Sequence, residues 1–318
     1  MDRELALELV RVTEAAAMTS ARWMGLGCKE EADGAAVDAM RRMFDTVQIR
    51  GTVVIGEGEI DKAPMLYIGE VVGGGGLEVD VAVDPIEGTN LVAKGLPNAI
   101  AVIGVAPRGC LLHAPDMYME KIAVGPAAAG KISLDRSPTE NIAVVAEAAG
   151  KDIRDLVVVI LDRPRHEKTI QETRKAGARV KLITDGDVAA AVSAAVAGSG
   201  VDMLLGIGGA PEGVLAAVAL KCLGGEIQGR LRPNSPAQEE RLLSMGITDP
   251  SQLLTMDHMV RGDDCFFAAT GITDGDLVRG VRFHGHVART HSIVMRYQSG
   301  TIRYVEATHN LKRKPHVF

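Results

Sequence analysis

The sequence has few aromatic residues, since Phe, Trp and Tyr together make up only 3% of its 318 positions. Hydrophobic residues nevertheless reach 47%, so Val, Ile, Leu, Ala and Met must fill the core. Such a core favours β-sheets covered by alanine-rich helices. The chain exceeds the size at which single cores usually stop growing, and we therefore expect two subdomains.

The sequence also lacks several signals that would point to other classes of protein. Its four cysteines show no C-x-x-C spacing, which argues against a disulfide framework or a cysteine zinc site and favours a reduced, cytoplasmic protein. A net charge of −6 argues against a general nucleic-acid binder. No apolar run is long enough to span a bilayer, and the acidic N-terminus does not read as a signal peptide. We expect neither nucleic acid nor a membrane as partner.

Hydrophobic periodicity predicts an α/β fold whose character changes near residue 150. The first part reads as helices over 2–24 and 30–44 with strands over 51–55, 79–83 and 99–105. In the second part, strands over 156–161, 179–184 and 201–208 alternate with helices over 165–177, 187–200 and 211–225, and a hairpin turns at Ser299-Gly300. Alternation of this kind predicts a parallel sheet with right-handed crossovers. We place an α+β subdomain at 1–150 and an α/β subdomain at 151–318, with a soft boundary.

Polar residues follow three successive strands of the second part, where open α/β sheets bind ligands. The clusters are Asp162 to His166, Asp185-Gly186-Asp187 and Gly208 to Gly213. Arg163 and Arg165 flank Pro164 and suit a phosphate clamp, although they could be solvated loop charges. Asp187 and Glu212 could each be an ordinary helix-terminal acid, but three clusters on one rim favour a ligand site.

The stretch VDVAVDPIEGTNLVAKG (79–95) begins as a buried strand and ends with Asp84, Glu87 and Thr89. A buried carboxylate normally neutralises, pairs with a cation or binds a metal. No lysine or arginine lies between Val79 and Ala93 to pair with them locally.

Further acids occur in the first part of the chain. Asp33 follows Lys29 by one helical turn, which by itself suits a helical ion pair. Glu57, Glu59 and Asp61 alternate in IGEGEIDKAP, where an acidic hairpin tip is the simpler alternative. Mg²⁺ and Mn²⁺ prefer oxygen ligands of this kind, and two such ions can clamp the attacking and leaving oxygens of a phosphoryl transfer. The residues alone therefore favour a metal-dependent phosphate-ester hydrolase, with Thr89 placed to orient a water.

The segment DPIEGTN (84–90) resembles the D-P-[IL]-[DE]-G-T signature of the lithium-sensitive sugar phosphatases, which include inositol monophosphatases and fructose-1,6-bisphosphatases. Many relatives carry Asp at the position of Glu87, and the glutamate here resembles the bacterial class II fructose-1,6-bisphosphatases. Segments 53–70, 111–126, 185–189, 208–229 and 262–281 resemble the same class, so the resemblance covers essentially the whole chain.

The resemblance implies a layered αβαβα sandwich that hydrolyses the 1-phosphate of fructose 1,6-bisphosphate in gluconeogenesis. It implies two or more Mn²⁺ or Mg²⁺ ions, one held by Asp33 and Glu57 and another by Asp84, Glu87 and Glu212. It gives chemical roles to Lys29, Asp61 and Thr89. The implied substrate contacts are Glu87, Gly88, Thr89, Tyr118, Arg163, Pro164, Arg165, Asp185, Gly186, Asp187 and Gly209. We also expect a homo-oligomer, either a dimer or a tetramer.

Three alternatives remain open from the sequence. The substrate could be sedoheptulose 1,7-bisphosphate or another sugar or inositol phosphate. The chain could instead be a non-catalytic phosphosugar-binding regulator, although Lys29, Asp61 and Thr89 argue against it. A dinucleotide-binding oxidoreductase is the weakest option, because GGGG (73–76) and GIGG (206–209) lack the fingerprint context.

Overall fold

A computed structural model of the chain describes residues 1–58, 65–245 and 247–313. In chain order, its strands are β1 (Ile49–Ile55), β2 (Val71–Val72), β3 (Leu77–Glu87), β4 (Ile100–Pro107), β5 (Tyr118–Val124), β6 (Val157–Leu161), β7 (Arg179–Ile183), β8 (Met203–Gly209), β9 (Glu226–Arg232), β10 (Phe266–Gly271), β11 (Arg282–His284), β12 (Val287–Arg296) and β13 (Thr301–Asn310). Its α-helices are α1 (Leu5–Ser20), α2 (Lys29–Phe44), α3 (Thr89–Lys94), α4 (Pro138–Ala149), α5 (Glu167–Lys175), α6 (Val188–Ser193), α7 (Ala210–Leu223), α8 (Pro236–Ser244) and α9 (Met256–Met259).

The chain divides into two compact units. Unit 1 comprises Met1–Leu111 and the chain from Gly262 onward, and it contains a mixed sheet with the strand order β11-β12-β10-β4-β3-β1-β2, to which β13 adds by pairing with β12. Helix α1 packs against α2 and lies on strands β3, β4, β10 and β12. Its alanine-rich sequence lets the helix approach the sheet closely, and Leu9, Met18 and Phe44 fill the space between the layers.

Unit 2 comprises Leu112–Arg261 and contains a sheet with the order β7-β6-β8-β5-β9. Strands β6, β7 and β8 run parallel, as the alternating pattern predicts, whereas β5 lies antiparallel to both β8 and β9. Helix α7 packs on β5, β8 and β9 and is apolar on nearly every side, which is typical of a helix buried in a core.

The division into units differs from the boundary that the sequence suggests near residue 150. That position lies inside unit 2, because β5 before it pairs with β8 and β9 after it. The C-terminal strands lie in unit 1, because β10 pairs with β4. These pairings join residues far apart in the chain, and chain order alone does not reveal them.

The α/β class is confirmed, since each unit has helices packed on a mixed sheet. The C-terminal hairpin is also confirmed, with Arg296 opposite Thr301 beside the turn. The helix predicted over 187–200 is wrong in length, because α6 ends at Ser193. There the Ser199 hydroxyl donates to the Ser193 carbonyl at 2.6 Å, and Gly198 has a φ of 81° that ordinary residues rarely adopt. Among the described residues, no helix combines the length and apolar character needed to cross a membrane.

Candidate functional site

A bulge at the end of β3 brings two acids together in unit 1. Asp84 lies opposite Val102 and Glu87 lies opposite Ile100, so β3 carries one more residue than β4 over this step. Residues three apart on a regular strand would point to opposite faces. The extra residue cancels that alternation, and carboxylate oxygens of Asp84 and Glu87 lie within 4.8 Å of each other.

Local hydrogen bonds fix the shape of this strand end. An Asp84 oxygen accepts from the Ile86 N–H at 3.0 Å, and the Thr89 hydroxyl donates to the Ile86 carbonyl at 3.2 Å. Gly88 has a φ of 93°, and a side chain there would also approach the Leu91 side chain at 2.8 Å. Only glycine suits this position. The strand therefore ends in a rigid turn that carries two carboxylates and a hydroxyl.

A second acidic pair in unit 1 joins α2 and the residues that follow β1. Burial raises the pKa of Glu57 to about 7, and the nearby negative charge of Asp33 contributes to the rise. Burial also raises the pKa of Asp33, although the positive charge of Lys29 one turn earlier opposes it. Two partly buried acids that repel each other are the kind of group that a bound cation would stabilise.

In unit 2, two arginines follow the end of β6. The guanidinium of Arg165 lies 4.6 Å from the centre of the Tyr118 ring and donates to the Ile207 carbonyl at 3.2 Å from Nε and 2.8 Å from Nη2. Arg163 donates to the Thr184 carbonyl at 2.6 Å and to the Asp162 carbonyl at 3.0 Å. Backbone carbonyls thus hold both guanidinium groups at the strand ends, where the sequence predicts a phosphate clamp.

The other predicted residues of unit 2 lie around the ends of β7 and β8. Asp185 and Gly186 follow β7, and Asp187 stands directly before α6 with its carboxylate 2.7 Å from the Lys121 ammonium. Glu212 lies in the first turn of α7. Burial raises its pKa, whereas the charge of Lys121 lowers it. Among the described residues, Asp187 Oδ1 and Glu212 Oε2 are buried without a hydrogen-bond partner, which marks both as available acceptors.

Sequence reasoning missed Lys121 as a partner of these acids. The alternation of MYMEKIAVG places Lys121 on the same face of β5 as Met119 and Ala123, both of which are fully buried. A lysine at an inward position between apolar residues signals a buried acidic partner, because an unpaired ammonium there would be costly. This signal was present in the sequence.

In the sequence, His166 is only one member of a polar cluster. In the structure, its imidazole connects two strands of unit 2. Its Nδ1 donates to the Leu161 carbonyl at 2.7 Å, and its Nε2 accepts from the Ile207 N–H at 2.7 Å. Burial lowers the pKa of His166. The neutral imidazole therefore links the ends of β6 and β8. Asp61, which the resemblance places in the chemistry, lies outside the described residues, as does Glu59.

The residues present fit hard divalent cations. Asp84 and Glu87 converge at the bulge without a lysine or arginine nearby in sequence, and Glu212 keeps a buried oxygen without a partner among the described residues. Asp33 and Glu57 form a second oxygen pair in which burial and repulsion oppose ionisation. Carboxylate oxygens in such sets suit Mg²⁺ or Mn²⁺ rather than a soft metal.

Comparison with known proteins agrees with this chemistry. Residues 3–309 match the family model described as bacterial fructose-1,6-bisphosphatase, glpX-encoded. A relative from Synechococcus sp. (strain JA-3-3Ab), named D-fructose 1,6-bisphosphatase class 2/sedoheptulose 1,7-bisphosphatase, is 48% identical over 97% of this chain and 96% of its own length. A Synechocystis sp. relative of the same name is 47% identical over 100% of this chain and 99% of its own length. The resemblance seen in the sequence is confirmed, and the chain belongs to the family of bacterial, glpX-encoded fructose-1,6-bisphosphatases.

Proposed function

We propose that this chain is a metal-dependent phosphatase that removes the 1-phosphate of fructose 1,6-bisphosphate, yielding fructose 6-phosphate and phosphate in gluconeogenesis. Family membership supports hydrolysis of a phosphate monoester. The bulged end of β3 is the observation that carries the proposal, because it brings Asp84 and Glu87 together and is followed at once by Thr89, whose hydroxyl is held by the Ile86 carbonyl. A binding protein would have little need for this arrangement of acids and hydroxyl.

In this proposal, Asp33 and Glu57 hold one Mn²⁺ or Mg²⁺ ion, and Asp84, Glu87 and Glu212 hold another. When bound, such ions supply positive charge that polarises the phosphate and lowers the pKa of water. Thr89 orients the attacking water, since its hydroxyl donates to a backbone carbonyl and keeps its lone pairs for accepting. Lys29 adds positive charge near the reacting phosphate, and Asp61 accepts the proton of the water.

Residues of unit 2 hold the rest of the substrate. Arg163 and Arg165 bind the remote 6-phosphate, because each guanidinium uses only some of its N–H groups on backbone carbonyls. Asp185 and Asp187 accept hydrogen bonds from sugar hydroxyls. The remaining contacts are made by Glu87, Gly88, Tyr118, Pro164, Gly186 and Gly209. Binding energy from the remote phosphate fixes the 1-phosphate for in-line attack.

The test is phosphate release by the purified protein from fructose 1,6-bisphosphate with Mn²⁺ or Mg²⁺, followed by excess chelator. Asp84→Asn is the matched variant, since it keeps the shape of the side chain and removes the charge. We expect metal-dependent turnover that chelator abolishes and that Asp84→Asn lowers strongly with its circular dichroism spectrum unchanged. Binding of the bisphosphate without turnover under any metal would replace this proposal with a regulatory role.

Sedoheptulose 1,7-bisphosphate is the second candidate substrate, because the curated relatives carry both activities in their names. Sedoheptulose 1,7-bisphosphate and inositol 1-phosphate are tested as substrates in the same phosphate-release assay. Turnover of a different ester alone would keep the mechanism and overturn the substrate. The proposal also includes a cytoplasmic location, which the scattered cysteines favour, and a dimer or tetramer, which light scattering in solution tests.

A further inference from the structure

A buried ion pair lies beneath the strand ends of unit 2. The side chains of Lys121 and Asp187 are only 2% and 6% exposed, and the Lys121 ammonium lies 2.7 Å from Asp187 Oδ2. The same ammonium donates to the Gly209 carbonyl at 2.9 Å. Lys121 therefore ties β5 to the residue before α6 and to the last residue of β8. A buried charged pair of this kind requires good geometry, because both groups lose their hydration.

The surrounding backbone is shaped to admit this pair. A side chain at position 208 would occupy the place of the Asp187 carboxylate and would lie 3.0 Å from the Lys121 ammonium. A side chain at 213 would meet the Lys121 stem at 3.3 Å. Glycine at both positions gives Lys121 and Asp187 the room to meet. The pair is thus part of how β8 and α7 are built.

We propose that Lys121 is a positioning residue for the sugar-binding part of the site, acting through Asp187; this inference rests on the function proposed above. Lys121 holds Oδ2 of Asp187, which leaves Oδ1 buried and without a hydrogen-bond partner among the described residues. An ionised carboxylate oxygen only accepts hydrogen bonds. Oδ1 is therefore positioned to accept from a hydroxyl of a sugar phosphate, and Lys121 holds the carboxylate in that orientation.

The inference predicts an effect on substrate binding that depends on Asp187. Without Lys121, the buried Asp187 carboxylate loses its counter-charge and its fixed orientation, so the hydroxyl is bound less well. A residue that served only to stabilise the fold would change KM and kcat without regard to Asp187. The dependence on Asp187 separates the two roles.

The experiment is a double-mutant cycle with Lys121→Met, Asp187→Asn and the combined variant, assayed on fructose 1,6-bisphosphate. We expect Lys121→Met to raise KM about 10-fold, the value of one hydrogen bond to a charged acceptor, with a smaller change in kcat. The combined variant should have the KM of Asp187→Asn to within about 2-fold, because the two residues act as a unit. If the KM of the combined variant rose by the product of the two single-variant fold-changes, the proposal would be overturned.

Two controls keep the outcome decisive. Lys151→Met removes another ion pair of unit 2, in which Lys151 lies 2.5 Å from Asp202, and it should leave KM unchanged. If Lys121→Met does not fold, the combined variant removes both charges of the Lys121–Asp187 pair, and its KM relative to Asp187→Asn decides the question. A further rise in KM would then refute the inference.

The wild-type protein distinguishes failure of the proposed function from failure of the inference about Lys121. If it releases no phosphate from the bisphosphate, the proposed function fails, and the same cycle is measured as dissociation constants by calorimetry. Equal weakening in Asp187→Asn and in the combined variant would still support the role of Lys121. Absence of any binding would overturn both.

Discussion

Replacing Arg165 by Ala tests whether the cluster after β6 binds the remote phosphate. Two N–H groups of Arg165 donate to the Ile207 carbonyl, and its guanidinium stacks on Tyr118, so its position is fixed before substrate arrives. Its other N–H groups can donate to a phosphate. The residue lies far from the acids of β3 in sequence, and we expect it to contribute to binding rather than to bond cleavage.

The size of the effect follows from the bonds that would be lost. Hydrogen bonds to a charged group contribute about 1.5–3 kcal/mol, so Arg165→Ala should raise KM by about 10- to 150-fold. The change in stability should stay below about 1 kcal/mol, because the side chain is exposed and its contact with Tyr118 is a surface cation–π pair. Arg165→Lys keeps the charge but loses the planar guanidinium, and its KM should lie between those of the wild type and Arg165→Ala.

The assay compares fructose 1,6-bisphosphate with fructose 1-phosphate, which lacks the remote phosphate. Arg165→Ala should raise KM for the bisphosphate and leave kcat/KM for the monophosphate unchanged, because the lost contact is to the absent group. Arg154→Ala is the control, since Arg154 is 82% exposed and pairs with Asp152 elsewhere in unit 2. A loss of kcat with unchanged KM, or an equal loss on both substrates, would refute the assignment.

Three further predictions concern other positions. In chelator-treated protein, the pKa of Glu57 is raised from its ordinary 4.5 to about 7, so the folded state binds more protons than the unfolded state between these values. Its unfolding free energy should fall as pH rises through this window, and Glu57→Gln should flatten the dependence in denaturant titrations; an unchanged slope would contradict the shift. Gly209→Ala places a methyl group where the Glu212 carboxylate lies, while its φ of −73° suits alanine. We expect kcat to fall about 100-fold with little change in the melting temperature, and full activity would show that Glu212 is not needed in place. His166→Ala leaves a carbonyl and an N–H without their buried partner, so urea unfolding should show a loss of about 2–5 kcal/mol. A loss below about 1 kcal/mol would mean that water replaces the imidazole.

Much of the site could be predicted because it is encoded in short stretches. DPIEGTN combines a proline, a glycine and two acids within one turn, and the structure gives it a bulge and a left-handed Gly88. The parallel strands β6, β7 and β8 follow from the alternation of apolar runs with helical segments. Such patterns depend on neighbours in the chain, and local propensity decides them.

Other features depend on residues that meet only after folding. The Lys121–Asp187 pair joins positions 66 residues apart, and nothing near either residue specifies the other. The assignment of the C-terminal strands to unit 1 likewise depends on pairing between β4 and β10, more than 150 residues apart.

The sequence by itself determined the α/β class, the order of most helices and strands, and the resemblance to a phosphatase family, and it predicted the acids and arginines of the candidate site. The alternation of apolar and polar residues along a strand indicates which face is buried, and a short motif predicts which turn follows. Only the tertiary structure decided which strands become neighbours, how the chain divides into units, and which buried charge neutralises Asp187. The physical reason is that strand order and ion pairing depend on the total free energy of many long-range contacts, which no short segment carries alone.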